Sequence, residues 1–295
     1  MAETWTVRKV LTWTTGHFEK KDVDAPRLTA ELLLGHVLGC SRVRLYVDLD
    51  RPLTAEELAT YRGLIGRRVQ GEPTQYLVGE KHFYNRAFVV DERVLIPRPE
   101  TELLVDEVLQ HLPPKGPSRV LDLCTGSGCI ALSIAAERPY ASVWAVDVSP
   151  DALDVARLNA ERLGVGARVT LREGDLFRGL PEDARFDVIV SNPPYVASGE
   201  LPGLQREVQR EPRLALDGGA DGLDLVRRLV AEAPRWLKPG GHLAMEIGEN
   251  QGPATLALLR NASFDDARIV RDLERHDRFA WGRAPGAASQ EPESA

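Results

Sequence analysis

Asn192 is followed at once by Pro193, Pro194 and Tyr195, and the apolar run Val188, Ile189, Val190 precedes it. β-branched residues in a row favour a buried strand. Neither proline has an N–H to give to a sheet ladder, so the strand must stop here. The residue before a proline is held out of the helical region, which keeps Asn192 extended. The product is a stiff rim of acceptors: the Asn192 side-chain carbonyl and the Pro193 main-chain carbonyl, with Pro194 bracing them. Such a rim suits a planar group carrying NH2, whose two N–H bonds need two acceptors, with the flat ring of Tyr195 beside it. The same residues also describe an ordinary Pro-rich strand exit, because Asn and Pro are common turn formers.

A second stretch raises the chemical reading above the bland one. Asp122, Leu123, Cys124, Thr125, Gly126, Ser127 and Gly128 lie between a predicted strand over 119–123 and a predicted helix over 129–137. Gly126 and Gly128 permit a close backbone approach that a Cβ would block. A loop of this kind, at a helix N-terminus on the carboxyl edge of a sheet, is where open α/β folds bind nucleotide-like ligands. Gly126, Gly128 and Ala131 also satisfy the loose dinucleotide pattern, so the loop alone does not separate NAD from other cofactors. Two details favour S-adenosylmethionine. Asp122 at the strand end suits a cationic amino-acid group better than a pyrophosphate, and Asp147 at the end of the next strand is spaced to accept from both ribose hydroxyls. The Asp147 feature suits NAD equally well. After the third strand, Asp175 is expected to accept from the adenine amine, with Leu176 or Phe177 packing on the ring. Cys124, Thr125, Ser127 and Asn192 complete the expected cofactor contacts. Turn or cap formation is the alternative role for Asp122, Asp147 and Asp175.

These side chains need a scaffold, and the chain supplies one. Its 295 residues suggest two domains, at roughly 150 residues per domain. Residues 1–72 read as a small helical domain with helical apolar spacing through Leu32, Leu33, Leu34, Val37 and Leu38, and a capping box at Thr54 and Glu57. Residues 73–97 read as a hairpin linker, with strands over 75–78 and 83–90 around Gly79, Glu80 and Lys81. Val94 to Glu102 forms an extended, proline-stiffened approach to a helix, with Pro99 in its first turn. From 98 to 284 strands and helices alternate, which predicts a mostly parallel, doubly wound α/β sheet. Within it, Lys238, Pro239, Gly240 and Gly241 are expected to separate a helix ending at 237 from a strand over 242–247. Residues 285–295 read as a disordered tail.

A net charge of -7 argues against a protein that grips nucleic acid through bulk electrostatics. Cys40, Cys124 and Cys129 are a sparse, odd set without metal-ligand spacing, so no metal is expected and a reducing cytoplasm is the simplest location. No apolar run has the length of a membrane span, and the first residues lack the apolar core of a signal peptide.

With loop and rim both placed, the chain resembles the class I S-adenosylmethionine-dependent methyltransferases. The Asn192 to Tyr195 signature resembles that of enzymes acting on planar amide or exocyclic amino nitrogens. The helical N-terminal region, the segment Pro97, Arg98, Pro99, Glu100, Thr101, Glu102, the triplet Glu211, Pro212, Arg213 and the stretch Gly218 to Leu223 together resemble the PrmC/HemK family of release factor glutamine N5-methyltransferases. The resemblance spans residues 24–283. It implies a seven-stranded Rossmann-like sheet, S-adenosylmethionine as methyl donor and S-adenosylhomocysteine as product. It implies as substrate the Gly-Gly-Gln glutamine of peptide chain release factors 1 and 2, with the helical domain recognising the substrate. Asn192, Pro193 and Tyr195 are then the expected catalytic residues, with Pro194 joining them against the substrate. A monomer without direct nucleic-acid or membrane contact is expected. Runner-up readings are a glutamine methyltransferase of a ribosomal protein and an adenine-N6 nucleic-acid methyltransferase. The latter must extrude its base and hold phosphates, for which this acidic chain is poorly suited.

Overall fold

A computed structural model describes residues 4–272 and 274–286 of the chain. The expected tail over 285–295 lies, from 287 onward, outside the described residues. The chain divides into two compact units, Met1–Glu80 with Gln205–Arg210, and Lys81–Leu204 with Glu211–Ala295.

The first unit is helical: α1 (Val7–Glu19), α2 (Pro26–Leu38), α3 (Arg42–Val47), α4 (Ala55–Val69) and α5 (Thr74–Val78). Leu11, Phe18, Leu33, Leu34, Leu45 and Tyr61 are buried together, and the Tyr61 hydroxyl finds the Ala30 carbonyl at 2.9 Å. The capping box opens α4 as the sequence predicts: Thr54 Oγ1 accepts from Glu57 N and the Glu57 carboxylate accepts from Thr54 N. The segment Gln205–Arg210 was not foreseen here. It joins this unit through Arg68, which donates to Glu207 Oε2 at 2.6 Å.

The expected strand over 75–78 is instead α5. Pro73 caps this short helix and Gly79, at φ 77, ends it in the left-handed conformation. Tyr-Leu-Val has strand-type composition, but burial of Leu77 in the helical core overrides it. The first strand of the hairpin is β1 (Glu80–Phe83), five residues later than expected, and the second, β2 (Arg86–Val89), lies inside the expected strand over 83–90. Its two-residue turn, Tyr84 at φ 48 and Asn85 at φ 59, has the both-positive geometry that matches strand twist.

The second unit carries α6 (Thr101–Gln110), β3 (Ser118–Leu123), α7 (Cys129–Glu137), β4 (Ala141–Asp147), α8 (Pro150–Arg162), β5 (Val169–Glu173), β6 (Phe186–Ser191), α9 (Asp224–Trp236), β7 (Leu237–Glu246), α10 (Gly252–Asn261), β8 (Asp265–Arg271) and β9 (Asp277–Arg283). The seven-stranded sheet has the order β5-β4-β3-β6-β7-β9-β8. β9 alone runs antiparallel to its neighbours β7 and β8; the other pairings are parallel. Both faces of the central strands are covered. In β6, Val188 and Val190 join one core and Ile189 the other, which is why the run is apolar without alternation.

Two local expectations change. Pro99 lies just outside α6, whose N-cap is Glu100. β7 begins at Leu237 and carries the Pro-Gly-Gly stretch inside it. Between the pairs Phe186↔Leu237 and Val188↔His242 the register shifts, so the extra residues sit in an irregularity where the pairing is interrupted. Among the described residues no helix is long and apolar enough to cross a membrane.

Candidate active site

The sheet register brings the ends of three strands level. Leu123 of β3 pairs with Ser191 of β6, and Ser191 pairs with Met245 of β7. Asn192, the loop after Leu123 and Glu246 therefore meet at one carboxyl edge. Ser191 Oγ ties two of the strand ends by donating to the Leu123 carbonyl at 2.7 Å.

A cleft opens at this edge, with about 1020 Å³ of non-atom space when its solvent-facing mouth is included. Cys124, Thr125, Gly126, Ser127, Asp147, Asp175, Leu176, Asn192 and Pro194 line it. Its size and its mix of apolar wall and carboxylates fit a nucleoside with an amino-acid arm. The loop is braced from within: Thr125 N donates to the Val146 carbonyl at 3.1 Å, and Gly126 N donates to Asp147 Oδ2 at 2.8 Å. Asp147 Oδ1 also accepts from Ser149 N at 3.0 Å. Burial pushes the Asp147 carboxyl up from its ordinary value, and these backbone donors oppose the rise. Two backbone donors leave the carboxylate with spare acceptor capacity on the cleft wall, where a ribose diol would need it.

Asp122 has a different place. It is fully buried and does not line the cleft; Oδ2 accepts from Thr125 Oγ1 at 2.6 Å and from Ala131 N at 3.2 Å. Its Oδ1 is buried without a partner among the described residues. The carboxyl ties the loop to α7, as turn or cap formation would have it. Burial raises it to about 7, against the two hydrogen bonds and with Asp147 adding to the rise. Gly128, at φ 80, is the N-cap of α7; a Cβ there would press on Leu132 and Ala156, so its role is packing.

At the far end of the cleft, Arg228 holds both Asp175 oxygens at 2.9 Å, and its hydrogen bonds keep the Asp175 carboxyl below the usual range. Leu176 reaches the cleft wall at φ 55, whereas Phe177 turns away and stacks on Trp236 with rings 6° apart in angle. Of the two candidates for packing on an adenine, Leu176 is the one in position.

The rim itself is more connected than the sequence suggested. Asn192 Nδ2 donates to Thr101 Oγ1 at 3.4 Å, and that hydroxyl donates to Glu246 Oε2 at 2.6 Å. The Tyr195 hydroxyl donates to Glu246 Oε1 at 3.1 Å. Pro193 and Tyr195 do not line the cleft, so the Tyr195 ring is not a wall of it. Glu246 is buried, and burial lifts its carboxyl above the ordinary range against the bonds from Thr101 and Tyr195. Nothing in the sequence linked Glu246 to the rim.

The remaining motifs lock this edge in place. Glu211 is buried; Oε2 accepts from Ile96 N at 2.9 Å and Oε1 from Arg98 at 2.5 Å, which fastens the proline-stiffened approach to the 211–213 segment. A Cβ on Gly218 would lie 2.7 Å from the carbonyls of both Pro194 and Gly222, so only glycine lets this stretch pass behind the rim. Gln251 Nε2 donates to the Tyr195 carbonyl at 2.8 Å.

Comparison with known proteins supplies the family. Residues 9–79 match the PrmC N-terminal domain, and residues 100–209 match the Methyltransferase small domain. A release factor glutamine methyltransferase of Geobacter sulfurreducens is 49% identical over 282 residues, covering 95% of this chain and 98% of that one. The protein of the same name from Chlorobaculum tepidum is 46% identical over 284 residues, covering 93% and 96%. A solved 16S rRNA N2 methyltransferase of T. thermophilus, in complex with AdoMet and guanosine, shares the fold at 19% identity and a TM-score of 0.51, over 70% of this chain and 49% of that one.

Two predictions follow from the carboxylates. Asp147→Ala removes both the ribose acceptor and a brace of Gly126, so S-adenosylmethionine affinity by calorimetry should fall about tenfold or more; unchanged affinity counts against the ribose role. Burial holds the Asp122 carboxyl up at about 7 in the native state, whereas an unfolded aspartate ionises near about 3.9. As pH rises between those values the unfolded chain releases a proton that the native chain keeps, so the native state loses ground. Asp122→Asn removes that loss. Its urea midpoint relative to the unsubstituted chain should therefore climb from pH 4.5 to 7.5, and a flat difference would refute the assignment.

Proposed function

The chain belongs to the release factor glutamine methyltransferase family, and from that premise we propose that it moves a methyl group from S-adenosylmethionine to the side-chain amide nitrogen of the Gly-Gly-Gln glutamine in peptide chain release factors 1 and 2. One observation carries the reading at the level of this chain: the Asn192 strand end, cut off by two prolines, lines the same cleft as the glycine loop and Asp147. An acceptor for an NH2 group and a nucleoside site thus share one wall.

When bound, S-adenosylmethionine supplies a sulfonium-activated methyl group. The residues of the chain must deal with the other reactant, an amide nitrogen whose lone pair is delocalised into its carbonyl. No side chain of ordinary pKa removes its proton in advance. Asn192 Oδ1 and the Pro193 carbonyl accept the two amide hydrogens and turn the nitrogen lone pair into the cleft. As the nitrogen pyramidalises and gains positive charge, both acceptors bind its hydrogens more strongly. That is positioning plus electrostatic preorganisation, without a general base. The proton leaves to solvent after the methyl arrives. Thr125, Ser127, Asp147, Asp175 and Leu176 hold the cofactor in this reading, and the helical unit recognises the protein substrate. The site of action is the cytoplasm, where the substrates are made and used.

A ribosomal-protein glutamine would fit the same rim, and so would an adenine N6 amine. The net charge of -7 disfavours the nucleic-acid reading. Incubation with radiolabelled S-adenosylmethionine and a panel of release factor, ribosomal protein and DNA distinguishes them, with mass spectrometry locating the methyl. Label on the Gly-Gly-Gln glutamine is expected; label on DNA or ribosomal protein alone overturns the proposal. Asn192→Ala should lower the single-turnover rate by about a hundredfold or more, while cofactor affinity stays within about threefold. A near-normal rate would remove Asn192 from the mechanism.

A further inference from the structure

Thr101 is buried at the start of α6, outside the cleft lining, and its hydroxyl stands between Glu246 Oε2 at 2.6 Å and Asn192 Nδ2 at 3.4 Å. A threonine hydroxyl has one hydrogen and two lone pairs. The bond to Glu246 Oε2 is much the shorter, and of two contacts competing for one hydrogen the shorter holds it. The hydrogen of Thr101 is therefore committed to Glu246. Oγ1 has nothing to donate to Asn192 and meets it with a lone pair. That settles which way the Asn192 amide is turned. Its NH2 faces Thr101 and its carbonyl oxygen occupies the other branch; the flipped amide would set oxygen against oxygen.

Glu246 is fixed in turn. Its second oxygen accepts the Tyr195 hydroxyl at 3.1 Å, so both oxygens are engaged, and each bond runs to a residue on the rim or directly behind it. The carboxyl lies beyond Met245, whose pairing with Ser191 sets it level with Asn192. Swinging it away from Thr101 would strand a buried acceptor and a buried hydroxyl together.

We propose that Thr101 and Glu246 are positioning residues for methyl transfer, acting through Asn192: the hydroxyl, oriented by the carboxyl group, locks the amide so that Oδ1 is presented to the incoming NH2. The proposal rests on the reading above, in which Asn192 Oδ1 accepts a hydrogen from the substrate amide. A flipped or rotating Asn192 would meet NH2 with NH2, donor against donor, and would lose the alignment on which the transfer depends.

Thr101→Val keeps the shape and deletes the hydroxyl, whereas Thr101→Ser keeps the hydroxyl. Steady-state methylation of a purified release factor is read for both, together with cofactor affinity by calorimetry and thermal unfolding. Thr101→Val should lower kcat by about tenfold to a hundredfold, leave KM for the release factor and the cofactor Kd within about threefold, and Thr101→Ser should recover kcat to within about threefold. A residue that merely supports the fold would move KM, Kd and melting together and would not be separated from them in kcat. Thr101→Val turning over within about twofold of the unsubstituted enzyme, or Thr101→Ser as slow as Thr101→Val, overturns the proposal. If Thr101→Val fails to fold, Thr101→Cys is judged by the same thresholds, because a thiol is a weak donor and acceptor. An unsubstituted enzyme inert towards release factors sinks the functional reading itself; an active one paired with an equally active Thr101→Val sinks the positioning role alone.

Discussion

The termination of β6 constrains everything around it. A parallel strand flanked on both sides, by β3 and by β7, is the place where a sheet least tolerates a missing N–H. Pro193 and Pro194 remove two in succession, so the ladder ends at Ser191 with its pairs to Leu123 and Met245. The chain must then leave the sheet, and the parts around it are shaped to the path it takes. Val196 pairs with Asp217 in an isolated parallel bridge, Gly218 passes too close to the Pro194 carbonyl for any side chain, and Gln251 takes up the Tyr195 carbonyl. The glycine-rich stretch of residues 218–222 is thus explained by backbone proximity to the rim, with no ligand needed to account for it.

Much of this edge was legible before any coordinates. The apolar run Val188 to Val190, the two prolines and the helix start at Cys129 are local signals, and they place the body and end of β6 and the bounds of α7 where the structure has them. The count of seven strands followed from resemblance, since periodicity alone predicts only a mostly parallel sheet, and their order came from the structure. What sequence could not supply was contact across distance. Glu246 and Thr101 are separated by 145 positions, and Glu211 and Ile96 by 115. An acidic residue at the end of a strand reads equally well as solvent-facing, ligand-facing or buried. Asp147 and Asp122 show two of these outcomes at neighbouring strand ends: one lines the cleft, the other is sealed beneath its loop. Local composition misled in two places. Tyr-Leu-Val near residue 76 folds as a helix because Pro73 and Gly79 frame it, and Pro-Gly-Gly near residue 240 sits within β7 because the sheet accommodates it as an irregularity.

The distribution of charge about the cleft has its own logic. Asp122 and Glu246 are both buried, and burial raises both carboxyl groups. Each is offset by hydroxyl or backbone donors, without a cation in direct contact among the described residues: Thr125 and Ala131 on one, Thr101 and Tyr195 on the other. Hydroxyls satisfy a buried carboxyl at lower desolvation cost than an arginine, whose own charge would also have to leave water. The effect is to keep the acidic groups as internal braces. By contrast, the more exposed Asp175 takes Arg228 as a partner, where solvent screens both charges.

That division bears on what the rim selects. A carboxylate in direct contact with the incoming group would favour lysine and arginine, whose charges it would match, over a neutral carboxamide. Asn192 and the proline carbonyl are neutral acceptors, and a neutral acceptor pair gives a buried ammonium too little in return for its lost hydration. A carboxamide loses far less on entering and finds both hydrogens satisfied. Glu246 itself stands one hydroxyl away from Asn192, behind Thr101. On the proposed reading, then, the preference for a glutamine side chain comes as much from the charge kept off the rim as from the acceptors placed on it.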